Sequence, residues 1–429
     1  MLRNWKPAKI IALGFAIVIM VGTLLLLMPG CTREGVHLKS IDAFFTAASA
    51  VCVTGLIVVD VGDTFTPLGQ IIVGSLIQIG GIGVASVGVG MILALGKKVD
   101  LKGRLLLRES FNLNTGGGLI RFLKKIIYIT VLIELTGAVL SFTQFSKDYP
   151  LSKAIGISLF HSVAAFNNAG FDILGNFKNL EPYQNNIILN LVTCALIFLG
   201  GIGYLVILDV LKKRFRFRKF ALHSKVVITT SVVLIVLGTL LLKMTESISW
   251  LGAFFNSVSA RTAGFTTFPI GKFSNVGLLV LIVLMFIGAS PGSTGGGIKT
   301  STFFVLIKEI GAAAGNRSAK AFHYRISSQN FKKAAIVLLL GLVVVILGTF
   351  GMLLLEPDLS FIQVLFEITS AFGTTGLSTG ITPNLSEASK ILCVFIMYIG
   401  RLGPLTLASL LYVGKEEMVS YPEGDISIG

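Results

Sequence analysis

A short pattern recurs four times along this chain, and every copy closes on a glycine followed by Leu or Phe. The copies read FTAASAVCVTGL around Gly55, FHSVAAFNNAGF around Gly170, FNSVSARTAGF around Gly264 and FEITSAFGTTGL around Gly376. A Phe stands ten residues before each glycine, at Phe45, Phe160, Phe254 and Phe366. Internal repeats reveal the architectural unit of a fold. Successive motif glycines lie 115, 94 and 112 residues apart by subtraction, too far for a solenoid and suited to two membrane spans with a short segment between them. A second glycine follows each motif by 24 to 30 residues, in QIGGIG at Gly80, FLGGIG at Gly200, FIGASP at Gly288 and YIGRLG at Gly400. The two recurrences define repeat units 8–96, 120–212, 222–311 and 330–414, followed by a cytoplasmic tail, 415–429.

Composition names the solvent. Charged residues make up 13% and hydrophobic ones 53%, with a mean hydropathy of +0.85, against roughly 25% charged in soluble domains. Apolar runs at 10–28, 70–95, 126–145, 187–208, 226–242, 276–288, 334–355 and 391–413 mostly approach the roughly 20 residues a bilayer span requires. The net charge of +15 sits in the N-terminal arm, 97–125, KKRFRFRK at 212–219 and 308–333, alternating with poorly basic connections. That alternation follows the positive-inside rule and places both termini in the cytoplasm, with eight spans between them. It argues against nucleic acid and for a surface facing lipid headgroups or a protein partner. LMPGC at 27–31 faintly resembles a lipoprotein cleavage site, but Pro29 fits that site poorly and the stretch reads as a retained span. Cys31, Cys52, Cys194 and Cys393 show no metal spacing and read as packing residues.

The segments before the motif glycines, 41–51, 154–166, 249–259 and 361–372, are too short to span and read as re-entrant half-helices. Irregular backbone at membrane depth survives only where protein buries it or water reaches it. Four such segments, each closed by glycine, therefore imply a water-filled central cavity. The expected fold is an all-α membrane protein of four tandem span–pore-helix–span repeats around a central pore. A cation filter aims backbone carbonyls at the ion, and aiming them one way calls for positive φ, which glycine tolerates. The alternative is that Gly55, Gly170, Gly264 and Gly376 are close-packing glycines; four in register favour the filter.

FFTAASAVCVTGL, LIQIGGIG, AAFNNAGF, TAGF, FIGASPGSTGGGIK, SAFGTTGL, YIGRLGPLT and the tail YPEGD together resemble the Trk/Ktr/HKT superfamily of potassium-translocating proteins, nearest the KtrB-type membrane subunits. The resemblance covers nearly the whole chain. It implies filter positions at Val53, Thr54 and Gly55; Asn168, Ala169 and Gly170; Thr262, Ala263 and Gly264; and Thr374, Thr375 and Gly376, with potassium held at the four glycines. Plant members with serine at the first of these glycine positions prefer sodium, so Gly55 implies potassium. One glycine per loop and unequal neighbours imply weaker rejection of sodium than a dedicated potassium channel achieves.

Residues 276–310 as one helix would run about 52 Å at 1.5 Å per residue, nearly twice the hydrocarbon core. The stretch is interrupted by GASPGSTGGGIKTST, in which Pro291 lacks a donor and Gly292, Gly295, Gly296 and Gly297 resist helix. It lacks phosphate-loop spacing. Arg401 stands mid-span, where a charge costs at least about 2.5–3.5 kcal/mol and normally faces a cavity or partner. The resemblance implies that 289–301 is an intramembrane gate and Arg401 a cationic barrier beneath the filter. Alternatively, Arg401 snorkels or pairs with a buried acid, for which Glu367 is a weak partner. Lys299 marks the cytoplasmic end of the loop, and Arg261 is placed to brace the third pore turn.

The chain carries no nucleotide-binding motif and no catalytic constellation; His37, His161, His223 and His323 are isolated. It is not expected to be an enzyme and requires no cofactor of its own. The resemblance implies a homodimer in the cell membrane and a cytosolic KtrA-type nucleotide-binding ring, with ATP or ADP on that partner only. It leaves room for sodium as an activator. Two other classes stay open: an alternating-access cation symporter, which would show two inverted halves, and a non-conducting membrane scaffold.

Overall fold

The computed structural model describes residues 7–95, 99–111, 118–404 and 406; the tail at 415–429 lies outside them. Each repeat opens with a long apolar helix: Pro7–Leu26, Leu119–Phe145, Leu222–Thr245 and Ser328–Leu355. At 20 to 28 residues these are long and apolar enough to cross a membrane. Their outward faces carry uncovered Leu24, Val139, Val236 and Phe350, the pattern of helices solvated by lipid rather than water. A pore helix follows in each repeat: Ser40–Val51, Leu151–Phe166, Trp250–Ser259 and Phe361–Gly373.

The chain then turns back and re-enters through a helix with a polar N-cap. Thr66, Asn186, Ser274 and Ser386 each accept a backbone N–H from the first turn of Pro67–Ile82, Ile187–Ile202, Asn275–Phe286 and Glu387–Leu402. One such cap per repeat supplies a partner for an otherwise orphaned donor. The architecture is therefore four tandem span–pore-helix–span repeats, almost wholly helical. The one regular strand pair among the described residues is the two-residue hairpin Lys320–Ala321 with Tyr324–Arg325.

The second spans, read from sequence as single apolar runs at 70–95 and 187–208, are bent. Pro67–Ile82 meets the following helix at 97° and Ile187–Ile202 meets Tyr204–Lys212 at 98°. The breaks fall at Gly83 and Gly203, with φ of 93° and 94°, a region that side-chain-bearing residues resist. Gly403 ends Glu387–Leu402 with a φ of 87°. These are the last glycines of GGIG, GGIG and GRLG, each three residues past Gly80, Gly200 and Gly400. Repeat three has Pro291 at the corresponding position, and there a loop replaces the bend.

Close packing fixes the pore helices. A Cβ on Gly80, Gly200 or Gly400 would fall on the carbonyl oxygen of Val51, Phe166 or Phe372, the residue four before each motif glycine. Second span and pore-helix C-terminus thus touch backbone to backbone. The anchoring aromatics Phe45, Phe160 and Phe366 are buried, but in repeat three the fully buried one is Phe255, not Phe254. The reason is a shorter loop. Ser49 and Ser370 stand six residues before their glycines, whereas Ser259 stands five before Gly264. The first and fourth repeats are joined by an Asp42–Lys390 ion pair at 2.7 Å, buried between pore helix one and Glu387–Leu402.

Candidate ion-conduction site

The four loops after the pore helices share one backbone signature. Gly55, Gly170, Gly264 and Gly376 have φ of 91°, 68°, 80° and 87°. The residue two positions earlier is left-handed as well: Val53 at 56°, Asn168 at 59°, Thr262 at 73° and Thr374 at 49°. Successive carbonyls of an extended strand point to opposite sides; left-handed residues at alternate positions turn them toward one side. The sequence asks for one such residue per loop, and the structure has two. Three of these second residues, Val53, Thr262 and Thr374, are β-branched and therefore costly at positive φ; Asn168 is the residue type that tolerates it best.

The loops close into a ring in chain order. A Cβ added to Gly55 would strike the carbonyl oxygen of Ala169; one on Gly170 would meet that of Ala263, on Gly264 that of Thr375, and on Gly376 that of Thr54. Every glycine therefore presents a bare Cα to the next loop's backbone, and the fourth loop returns to the first. Glycine is required twice over at each position, by its φ and by its neighbour. The pore helices end just before these loops, so their partly negative C-termini converge on the ring and favour a cation there.

Buried hydroxyls hold the loops. Ser49 Oγ donates to Leu56 O at 2.8 Å and accepts from Gly55 N at 3.1 Å. Ser370 Oγ accepts from Gly376 N at 3.1 Å, and Ser259 Oγ donates to Phe265 O. The Asn168 amide meets Thr262 Oγ1 at 3.1 Å, joining loops two and three. On one side the ring opens into a mouth lined by the four glycines together with Thr266, Leu377, Ser378, Thr379 and Thr382.

On the other side lies the loop that interrupts repeat three. Its neck is a bridge between Ile287 and Ile298, and it hydrogen-bonds to the other repeats. Ser290 N donates to Gly201 O at 3.0 Å, Tyr204 N to Gly292 O at 3.0 Å, and Gly296 N to Thr374 Oγ1 at 2.9 Å. Pro291 O packs where a side chain on Gly203 would stand, and a Cβ on Gly295 would fall on Thr262 Oγ1. Gly292 and Gly297 hold φ of 68° and 66°. The small residues of this loop let it lie directly beneath loops three and four.

Three cations grip the loop. Arg401 donates to Thr294 O and, from its other nitrogen, to Gly80 O. Lys299 turns back onto its own loop, donating to Gly295 O at 2.7 Å and Gly296 O at 3.2 Å. Arg261 donates to Gly288 O at 2.7 Å. None of the three forms an ion pair among the described residues, whose ion pairs are Lys213–Asp209 and Lys390–Asp42. Glu367 is not the acid that receives Arg401: it accepts from Ser378 and Thr382 at the mouth.

Sequence reading missed a buried polar cluster that holds Asn167. Glu134 accepts from Asn167 at 3.0 Å and Gln78 at 3.3 Å behind loop two. Arg261 takes the place held by Cys52, Asn167 and Gly373 in the other loops. The available signal was polarity inside apolar stretches, as at Glu134, Gln78 and Lys390.

Known proteins share this organisation. A family model described as TrkH, cation transport protein, matches residues 6–418. The Ktr system potassium uptake protein B of Bacillus subtilis (strain 168) is 38% identical over 99% of this chain and 97% of its own length. The potassium/sodium uptake protein NtpJ of Enterococcus hirae is 35% identical over 100% of this chain and 98% of its own. The crystal structure of the potassium transporter TrkH from Vibrio parahaemolyticus superposes with a TM-score of 0.75 at 18% identity, covering 96% of this chain and 86% of that one, a likeness of fold. Ring, interrupted span and matches along nearly the whole length agree: this chain is a multi-pass membrane protein of the TrkH family of cation transport proteins.

Proposed function

We propose that this chain is the potassium-translocating membrane subunit of a potassium uptake system. The observation that carries the reading is the closed ring in which each of four left-handed glycines meets the next loop's carbonyl. Carbonyls at Val53, Thr54 and Gly55 and their counterparts in the other loops replace the ion's water shell, and the converging helix C-termini lower the cost of holding a cation there. Below, Pro291, Gly292, Gly295, Gly296, Gly297 and Lys299 form the gate, closed by Arg401 on Thr294 O. The uncompensated charge of Arg401 opposes a cation until the loop moves aside.

The names of the relatives, a Ktr system potassium uptake protein and a potassium/sodium uptake protein, support potassium as substrate and a multi-component assembly; the proposal adds sodium as an activator. In that assembly two copies of this chain sit in the cell membrane with cytoplasmic termini. A cytosolic KtrA-type ring carries ATP or ADP and sets the gate through the basic loops. Flux of the purified protein in liposomes, with and without that ring, tests the reading. Potassium flux exceeding sodium flux is the expected result; no potassium flux under either condition would overturn it.

A further inference from the structure

We propose that Glu367 is the fixed counter-charge for the cation at the mouth of the ring. The inference rests on the reading that cations pass this ring. The residue after the anchoring Phe is buried and polar in every repeat: Thr46, His161, Asn256 and Glu367. In three repeats it is not a carboxylate and is paired nearby. Thr46 Oγ1 donates to Asp42 O at 2.7 Å, the His161 ring meets Thr193 Oγ1 at 2.9 Å, and Asn256 Nδ2 donates to Gly252 O at 2.9 Å. Only repeat four places a carboxylate there.

Glu367 is fully buried, yet it faces the mouth through two hydroxyls. Its Oε2 accepts from Ser378 Oγ at 3.0 Å, and its Oε1 accepts from Thr382 Oγ1. Ser378 and Thr382 both line the cavity that contains the four glycines. Ser378 Oγ already accepts from Gly380 N at 2.9 Å, which leaves its proton for the carboxylate. Repeat three has the same strut geometry without charge: Asn256 Oδ1 lies 3.4 Å from Thr266 Oγ1, whose proton goes to Phe268 O, and Thr266, like Ser378, stands two residues past its glycine.

A buried charge requires a counter-charge. Glu367 belongs to neither ion pair among the described residues, and Arg401, Lys299 and Arg261 are committed to carbonyls around the intramembrane loop. On this proposal the counter-charge is the transported cation, drawn to the mouth by a carboxylate that reaches it through two hydroxyls. Of the four equivalent pore-helix positions, the one in repeat four alone carries a carboxylate, linked to the mouth through Ser378 and Thr382.

The test compares purified wild-type, Glu367→Gln and Asn256→Asp proteins in liposomes, reading potassium flux against potassium concentration. Glutamine keeps the shape and loses the charge. A unit charge about 10 Å from the ion at an effective dielectric near 20 corresponds to roughly a tenfold change in affinity. The half-saturating potassium concentration should therefore rise about tenfold in Glu367→Gln, with the maximal rate retained. Asn256→Asp, which adds a carboxylate to the equivalent strut, should lower it severalfold and decides the matter alone if Glu367→Gln does not fold. Wild-type half-saturation in a folded Glu367→Gln protein, or no decrease in Asn256→Asp, overturns the proposal. A wild-type protein that moves no potassium counts instead against the transport reading itself.

Discussion

Replacing Gly55 by serine should lower the preference for potassium over sodium by about tenfold, near 1.4 kcal/mol. Two costs meet at this position. With φ at 91°, any side chain pays about 1–2 kcal/mol for the left-handed backbone. The new Cβ would also fall on Ala169 O, with the Ala169 carbonyl carbon and Gly170 Cα both at 3.1 Å. Neither neighbour is the free end of a flexible side chain, so loop two must move. Gly170 in turn abuts Ala263 O, which carries the displacement to loop three. A ring that has lost the position of one oxygen and disturbed a second holds a dehydrated ion less selectively. The assay is the ratio of potassium to sodium flux into liposomes. Gly30→Ser is the control, because Gly30 has a φ of 88° but open space around its Cβ position, so it incurs the strain without the contact. An unchanged ratio in Gly55→Ser, or an equal fall in Gly30→Ser, would mean that the contact with Ala169 O does not set selectivity.

Other consequences are equally open to measurement. Arg401→Gln removes the charged donor to Thr294 O; at about 1.5–3 kcal/mol for a hydrogen bond to a charged group, flux without any regulator should rise roughly tenfold or more. Lys390→Met strands Asp42 in a buried site and should cost about 3–5 kcal/mol, visible in thermal unfolding, with much of the loss restored by adding Asp42→Asn. At the mouth, burial pushes the Asp172 carboxyl up to about 7; Asp60 and Asp63 add to the rise while Leu174 N–H and Asn179 oppose it. The folded carboxyl thus keeps its proton to higher pH than the unfolded one, whose pKa is about 3.9. Its stability contribution is complete below that value and is lost as pH rises through about 7. Asp172→Asn should flatten this slope, measured as thermal stability from pH 5 to 8.

The repeating glycines and the interrupted span were legible because both are departures from composition that recur or cluster in sequence. So was the meeting of Arg401 with the loop, because Gly400, next to Arg401, shares a register with Gly288 at the start of the loop. The bends at Gly83 and Gly203 were hidden, because a glycine in GGIG reads equally as a packing residue within a straight span. The shortened third loop was hidden by Phe254 and Phe255 standing side by side, so that spacing alone chose the wrong one. Val53 has no sequence signal for a left-handed backbone; ring closure imposes it against local preference. Glu367 was read toward Arg401 by its charge, whereas the fold sets the two against different partners, hydroxyls at the mouth and carbonyls of the loop.

The central claim is that a cation loses its water at the ring of Gly55, Gly170, Gly264 and Gly376. The direct measurement is anomalous diffraction from crystals of the purified protein grown in rubidium or thallium salts. An anomalous peak is expected on the axis between the four glycines, weakened in Gly55→Ser. Cation peaks confined to other places in the protein, with none at the ring, would contradict it.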